Sequence, residues 1–334
     1  MIVILKKNHT EQDLEHIIDI TKEMGFQSHV SRGTEKTIIG VIGDDSYVSV
    51  DRFENLNFVD KVVKVLKPYK LVSKEFHPET TVIDIGEDQR IGAGFAIIAG
   101  PCAVESEALL DEVGAFLNEQ GVSFLRGGAF KPRTSPYSFQ GLGLEGLKIL
   151  KKTAEKYHLK VVTELMSESE REWLEEYADI IQIGSRNAQN FRLLERCGQF
   201  TKPILLKRGY MNRTEEFLQS AEYIMANGNP NVILCERGIR TFETVTRNTL
   251  DLSVVPYVKE ESHLPIIVDP SHATGKRELV PAMVYASWAA GADGIMVEIH
   301  PDPEKALSDG RQSLDFKQFE SMREKLNTLM HTQA

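Results

Sequence analysis

The sequence predicts an α/β protein: a (β/α)8 TIM barrel preceded by a small α+β unit of ferredoxin-like order. Two observations carry that prediction. From Phe95 onward, short apolar runs alternate with amphipathic stretches of helical length. Runs that are apolar on both faces, each followed by a helix, indicate a parallel sheet covered by helices. Eight such units in about 240 residues match a closed barrel in count and length, with a doubly wound open sheet as the alternative. Ahead of them, the first 66 residues read β-α-β-β-α-β, the split βαβ pattern.

Each element has a local reason. The apolar residues 2–5 open the small unit as a strand, and Thr10 starts the stretch TEQDLEHIIDITKEMG. Asp13 and other acids in its first turn, with Gly25 after its last, supply a helix with start and stop signals. Strands are expected over residues 27–31 and 37–42, then a short helix over 52–56 and a strand over 61–66. Residues 67–94 are polar and punctuated by Pro and Gly, which reads as a linker with a short hairpin near 82–85. The runs FAIIA, SFLR, KVVTE, IIQIG, PILLK, NVILC, PIIVD and GIMVE then supply eight strands. Helices between them include 105–119, 144–158, 214–226 and 276–289. The expected domains are 1–66, a linker at 67–94, and a catalytic barrel at 95–334.

Composition narrows the function. The 41% hydrophobic and 26% charged content is that of a globular protein. Three cysteines do not make a disulfide framework, so a reducing, cytoplasmic compartment is expected. The opening MIVILKKNHTE has its apolar run before the lysines, the reverse of a signal peptide. The longest membrane-span candidate, residues 281–297, is broken by Asp293, so no membrane partner is expected. With 39 basic against 49 acidic residues the net charge is −10, which disfavours nucleic acid. An anionic ligand must then be held by local basic residues against the overall field.

In a barrel, chemistry belongs at the C-terminal strand ends. Arg126, Lys131, Arg133, Arg186, Lys207 and Arg237 all stand there, from four separate strands. Convergent guanidinium and ammonium groups suit a phosphorylated carboxylate, because guanidinium grips phosphate oxygens bidentately. The plain alternative, surface residues or pairs with Glu164, Glu236 or Asp269, is weaker for the whole set than for any single member. Cys102, His272, Glu298 and Asp309 are potential ligands of a first-row divalent metal, with Glu164, Asp269, His300 and Asp302 as rivals. Their wide separation gives no spacing signal, so residue types alone leave eight candidates open. Cys197 and Cys235 read as small buried hydrophobes.

Two other motifs compete. Gly141, Gly143 and Gly146 spell G-x-G-x-x-G, with Glu164 near the distance of a ribose-binding acid. The preceding KPRTSPYSFQ is too polar to be the buried strand that a dinucleotide fingerprint requires. Lys207 on an inner barrel strand is also a candidate Schiff-base lysine, with Arg208 beside it.

Taken together, IIAGPC, LRGGAFKPRTSPYSFQG, QIGSRNAQN, LLKRG, CERGIRT, VDPSHATG and VEIHPDPEKALSDG closely resemble the 3-deoxy-D-arabino-heptulosonate 7-phosphate synthases. The subtype it resembles is the barrel form with an N-terminal ferredoxin-like domain, and the resemblance spans essentially the whole chain. It implies a transferase that condenses phosphoenolpyruvate with erythrose 4-phosphate at the entry to the shikimate pathway of aromatic amino acid biosynthesis. It further implies one divalent metal of the Mn, Fe, Co or Zn class, on Cys102, His272, Glu298 and Asp309, and no organic cofactor. Phosphoenolpyruvate contacts fall on Arg126, Lys131, Arg186, Lys207 and Arg237. The erythrose phosphate segment falls on Lys131, Pro132, Arg133 and Thr134. The similar octulosonate-phosphate synthases, which use arabinose 5-phosphate, carry Ala-Asn-Arg-Ser after that lysine, so Pro132-Arg133-Thr134 favours the four-carbon aldehyde. Catalytic roles are expected for Lys131, in proton transfer or in orienting the aldehyde, and for Cys102 and His272. The N-terminal unit implies feedback by tyrosine or phenylalanine, for which His29 and Ser31 share a strand face, and the family suggests a homotetramer.

Overall fold

The computed structural model describes residues 1–33, 36–43, 48–64, 68–131, 135 and 137–332. It divides into two compact units: residues 1–80 with 260–263, and residues 81–259 with 264–334.

The first unit runs β1 (Ile2–Leu5), α1 (Glu11–Glu23), β2 (Gln27–Arg32), β3 (Thr37–Ile42), α2 (Asp51–Glu54) and β4 (Val59–Val63). This is the expected ferredoxin-like order. The strands form one sheet in the order β2-β3-β1-β4. Thr10 caps α1 through a reciprocal box: its hydroxyl accepts from the Asp13 N–H, and the Asp13 carboxylate accepts from the Thr10 N–H at 2.8 Å. Alternation then sorts the faces. Val3, Leu5, Ile39, Val41, Val59 and Val62 pack with Leu14, Ile17 and Phe53 of the helices. On the other face Gly40 leaves room for Phe76, whose ring a Cβ would meet at 2.4 Å. The last strand begins two residues before the expected 61, and residues 65–66 lie outside the described residues.

The second unit opens with the hairpin β5 (Ile83–Gly86) and β6 (Gln89–Ile91), followed by β7 (Ala96–Gly100) and α3 (Glu107–Glu119). Strands and helices then alternate: β8 (Phe124–Arg126), α4 (Leu144–Tyr157), β9 (Lys160–Leu165), α5 (Arg171–Tyr177), β10 (Ile180–Ile183) and α6 (Phe191–Cys197). The chain continues through β11 (Ile204–Lys207), α7 (Thr214–Ala226), β12 (Val232–Glu236), α8 (Val254–Glu261), β13 (Ile266–Val268), α9 (Pro270–Thr274), α10 (Val280–Ala289), β14 (Gly294–Glu298) and α11 (Phe316–Thr332). Strands β7 to β14 are parallel neighbours in sequence order, and β14 pairs with β7, so the barrel is closed and the open-sheet alternative falls. The helix expected over 276–289 is divided: residues 277–279 form a 3-10 turn and α10 starts at Val280, with Pro281 in its first turn.

The pleat of this barrel decides where the chemistry lies. Ile98, Phe124, Val162, Ile180, Leu205, Cys235, Ile267 and Met296 form one buried cluster, joined by Ile83 and Ile91 of the hairpin. Residues two further along a strand point to the same side. From that apolar layer, the next inward positions are Gly100, Arg126, Glu164, Gln182, Lys207, Arg237, Asp269 and Glu298. A polar layer therefore sits directly on an apolar one, at the C-terminal mouth.

Candidate active site

The polar-layer position on β7, Gly100, carries no side chain for a physical reason. Gly100 has φ +153°, and a Cβ there would lie 2.0 Å from the Arg126 carbonyl oxygen. The close approach of β7 and β8 continues beyond both strands, where Ala103 bridges Gly128. It sets Cys102 against the loop that carries Lys131. The Lys131 ammonium donates to the Cys102 carbonyl at 2.8 Å and lies 3.1 Å from Cys102 Sγ.

Cys102, Glu298 and Asp309 bring one donor atom each to within 4.8 Å of one another. His272 borders the group without joining that mutual set: its Nε2 lies 3.3 Å from Glu298 Oε1 and 4.0 Å from Asp309 Oδ2. Its Nδ1 is held by Asp269 Oδ2 at 2.7 Å. Burial holds the His272 imidazole below its ordinary value, against the pull of Asp269 and Glu298. A neutral ring donating from Nδ1 turns its Nε2 lone pair toward the two carboxylates. Burial also pushes the Cys102 thiol up to about 11, and Glu298 adds to the shift. Lone pairs and negative charge thus face each other in a buried site, which a divalent cation would reverse. Thiolate, imidazole and carboxylates are suited to a first-row metal, and the group fits one.

Further residues fix these donors. Arg126 Nη1 donates to Glu298 Oε1 at 2.7 Å, and Gln312 Nε2 donates to Glu298 Oε2 at 2.7 Å. Arg247 in turn reaches Gln312 Oε1 at 3.0 Å. Ser308 Oγ sits 2.9 Å from Cys102 Sγ. Asp309 itself occupies the left-handed region at φ +53°, an uncommon conformation for a residue other than glycine.

Beside this group lies a cavity of about 320 Å³, lined by Arg126, Lys131, Arg186, Lys207 and Arg237 together with His272 and Asp309. The described basic residues expected to converge do so. Lys207 Nζ is paired with Asp269 Oδ2 at 2.5 Å, and Arg237, buried, donates to the His272 carbonyl at 3.2 Å. Burial lowers the Arg237 guanidinium below its ordinary value. Pro132, Arg133 and Thr134 lie outside the described residues.

The family models match along almost the whole chain. Residues 73–333 match the DAHP synthetase I family, and residues 1–67 match the DAHP synthase ferredoxin-like domain. The chain belongs to the DAHP synthetase I family. Among its relatives, a phospho-2-dehydro-3-deoxyheptonate aldolase of Thermotoga maritima is 59% identical over 98% of this chain and 97% of its own length. A 2-dehydro-3-deoxyphosphooctonate aldolase of Methylococcus capsulatus is 29% identical over 71% of this chain and 89% of its own. The crystal structure of the Thermotoga maritima DAHP synthase superposes with a TM-score of 0.79, at 58% identity, covering 99% of this chain and 97% of that one. A truncated form of the Thermotoga enzyme covers 78% of this chain and 96% of its own, with a TM-score of 0.74.

For this family member, the rivals from sequence separate cleanly. Glu164 lines the cavity and accepts from Gln182 at 3.2 Å, while Asp269 stands behind His272 rather than beside the other donors. His300 faces Glu105 at 3.6 Å, and Asp302 pairs with Lys305 at 2.7 Å. Arg208 is spent on Glu236 at 2.8 Å and Asp251 at 3.0 Å. The Gly141 to Gly146 motif packs against the β8 loop, since a Cβ on Gly141 would meet the Ala129 oxygen at 2.1 Å. Lys207 is held as an ion pair by the Asp269 carboxylate in a polar cavity, not in the apolar box of a desolvated imine-forming lysine. Gln312, Arg247 and Tyr210 stand outside the motifs quoted from the sequence, and Ser308 lies within VEIHPDPEKALSDG with no role of its own expected there. His29 and Ser31 share the β2 face opposite Gly40 and Ile38, and the His29 ring lies 5.1 Å from that of Phe76.

Proposed function

We propose that this chain condenses phosphoenolpyruvate with D-erythrose 4-phosphate, giving 3-deoxy-D-arabino-heptulosonate 7-phosphate and inorganic phosphate. The observation that carries the reading is one 320 Å³ cavity in which Arg186, Lys207 and Arg237 face the His272 and Asp309 side of the donor group. Cys102, His272, Glu298 and Asp309 would hold the divalent metal. When bound, that metal polarises the aldehyde carbonyl and stabilises negative charge on its oxygen. Arg186, Lys207 and Arg237 bind the phosphate and carboxylate of phosphoenolpyruvate, and Arg126 holds Glu298 while facing the same cavity. Lys131 Nζ stands at the boundary of the two groups, where it holds or delivers the proton at the aldehyde oxygen. Pro132, Arg133 and Thr134, next in the chain, take the erythrose phosphate. Water supplies the new oxygen at the former enol carbon, and phosphate leaves with its bridging oxygen. No electrons pass to an outside carrier, so the reading needs no organic cofactor.

The match of residues 1–67 to the ferredoxin-like domain supports feedback inhibition by tyrosine or phenylalanine, with His29 and Ser31 as effector contacts. The reading includes a homotetramer working in the cytoplasm, with the domain limits 1–66, 67–94 and 95–334. The test is a two-substrate assay with and without chelator, repeated with arabinose 5-phosphate. Turnover with erythrose 4-phosphate that is lost on chelation and restored by Mn, Fe, Co or Zn is the expected result. Full activity after rigorous chelation sinks the metal reading, and preference for arabinose 5-phosphate makes the chain an octulosonate-phosphate synthase. Absence of turnover with either aldehyde makes it a binding subunit, while borohydride trapping of Lys207 supports the imine mechanism.

A further inference from the structure

We propose that Tyr210 is a positioning residue for the anion site, its ring gathering three arginines that have no carboxylate oxygen within 4.0 Å among the described residues. The proposal rests on the reading of the cavity as a phosphoenolpyruvate site. Tyr210 lies three residues beyond the end of β11 and lines the cavity. The guanidinium carbons of Arg186, Arg237 and Arg240 stand 5.9, 4.8 and 4.7 Å from its ring centroid. They come from two other segments, the turn after β10 and the loop after β12. The Tyr210 carbonyl accepts the Arg240 N–H at 2.7 Å, which ties the third loop to the second.

Three cations around one ring repel one another; Arg186 and Arg240 are exposed and screened by water, whereas folding has stripped most water from Arg237. A protein ordinarily balances a buried guanidinium with a carboxylate, as it does here for Arg126 and Arg208. Among the described residues, none of the three arginines at Tyr210 has a carboxylate oxygen within 4.0 Å. A carboxylate would compete with the substrate for the same donors. An aromatic face attracts guanidinium through its quadrupole and uses up no N–H donor. The ring therefore holds the cations in place while leaving the charge of Arg186 and Arg237, which line the cavity, for an incoming anion. Its hydroxyl has no hydrogen-bond partner among the described residues, so the ring, not the phenol, carries the effect.

The experiment measures equilibrium binding of inorganic phosphate and of phosphoenolpyruvate by calorimetry. It compares wild type with Tyr210→Phe, Tyr210→Leu and Tyr210→Ala, and adds kcat and KM for phosphoenolpyruvate. Phe keeps both Kd values within about twofold of wild type, whereas Leu and Ala raise both about tenfold. KM follows Kd while kcat changes less, as expected of a group that binds ground state and transition state alike. Leu preserves bulk, so a folded Leu variant separates the quadrupole from simple packing even if Ala unfolds. Wild-type affinity in the Leu variant overturns the proposal, and so does a Phe variant as weak as Leu. A wild-type chain that takes phosphate but not phosphoenolpyruvate, with Leu still weaker, keeps the ring's role and sinks the substrate reading. Binding of neither probe by wild type sinks both.

Discussion

Asp269→Asn exchanges one buried carboxylate oxygen for an amide at the point where the Cys102, His272, Glu298 and Asp309 side chains meet the basic cavity. Asp269 is fully buried and serves three donors: Lys207 Nζ at 2.5 Å, His272 Nδ1 at 2.7 Å and the His272 N–H at 2.9 Å. Burial opposes its charge, yet His272 and Lys207 hold the carboxyl well below the usual carboxylate range. It therefore stays ionised across the working pH range. Asparagine offers one oxygen and no charge, so at least one donor loses its acceptor and Lys207 loses its counter-ion. Removing one partner of a buried pair costs about 3–5 kcal/mol. Lys207 opens onto a cavity that water enters, which argues for the lower end, about 3 kcal/mol. Loss of the carboxylate behind a metal-binding histidine weakens metal affinity by about 10- to 100-fold. The assay is a pair of titrations on the purified chain: denaturant unfolding without metal, and competition for Mn or Zn against a chromogenic chelator. A variant with wild-type midpoint and wild-type metal affinity would refute the argument that Asp269 orients His272.

Gly100→Ala sets a Cβ 2.0 Å from the Arg126 oxygen at an unfavourable φ, and the backbone cannot swing aside. The expected loss is about 3 kcal/mol in denaturant unfolding, and an unchanged midpoint would count against the close approach of β7 and β8. Cys102→Ser keeps a hydroxyl for Ser308 and Lys131 but removes the soft donor, so bound metal measured by elemental analysis should fall at least about tenfold. Retention of stoichiometric metal would remove Cys102 from the ligand set. His263 supplies a pH signature: burial, with His77 and Lys74 adding, lowers its imidazole to about 4, and its Nε2 lies 2.7 Å from the Leu71 oxygen. The unfolded chain binds the proton more readily, so the stability is complete above pH about 6.5 and declines as pH falls toward 4. The interval is worth about 3 kcal/mol, and His263→Asn should flatten that part of the thermal-stability profile. Parallel profiles for the two proteins would contradict it.

Much of this architecture is written locally. The cap at Thr10, the apolar runs of the strands and the amphipathic helices between them depend on neighbours within a few residues, and those elements appear near where the sequence puts them. The pleat is local too: once Phe124, Leu205 and Met296 are inward, Arg126, Lys207 and Glu298 must be inward as well. Sequence alone therefore brought the cations and potential donors to one end of the strands, and resemblance to a family chose four candidate ligands from eight. Which donors meet depends on closure, because Cys102 reaches Glu298 only when β14 pairs with β7. Residue type could not separate Asp269 from Asp309, since the two differ in which side of His272 they occupy. The same holds for Gln312 and Tyr210: an amide and a phenol carry no signal until the fold sets one on Glu298 and the other among three arginines. Short-range chemistry determined the elements and the layer, and long-range pairing decided the partners.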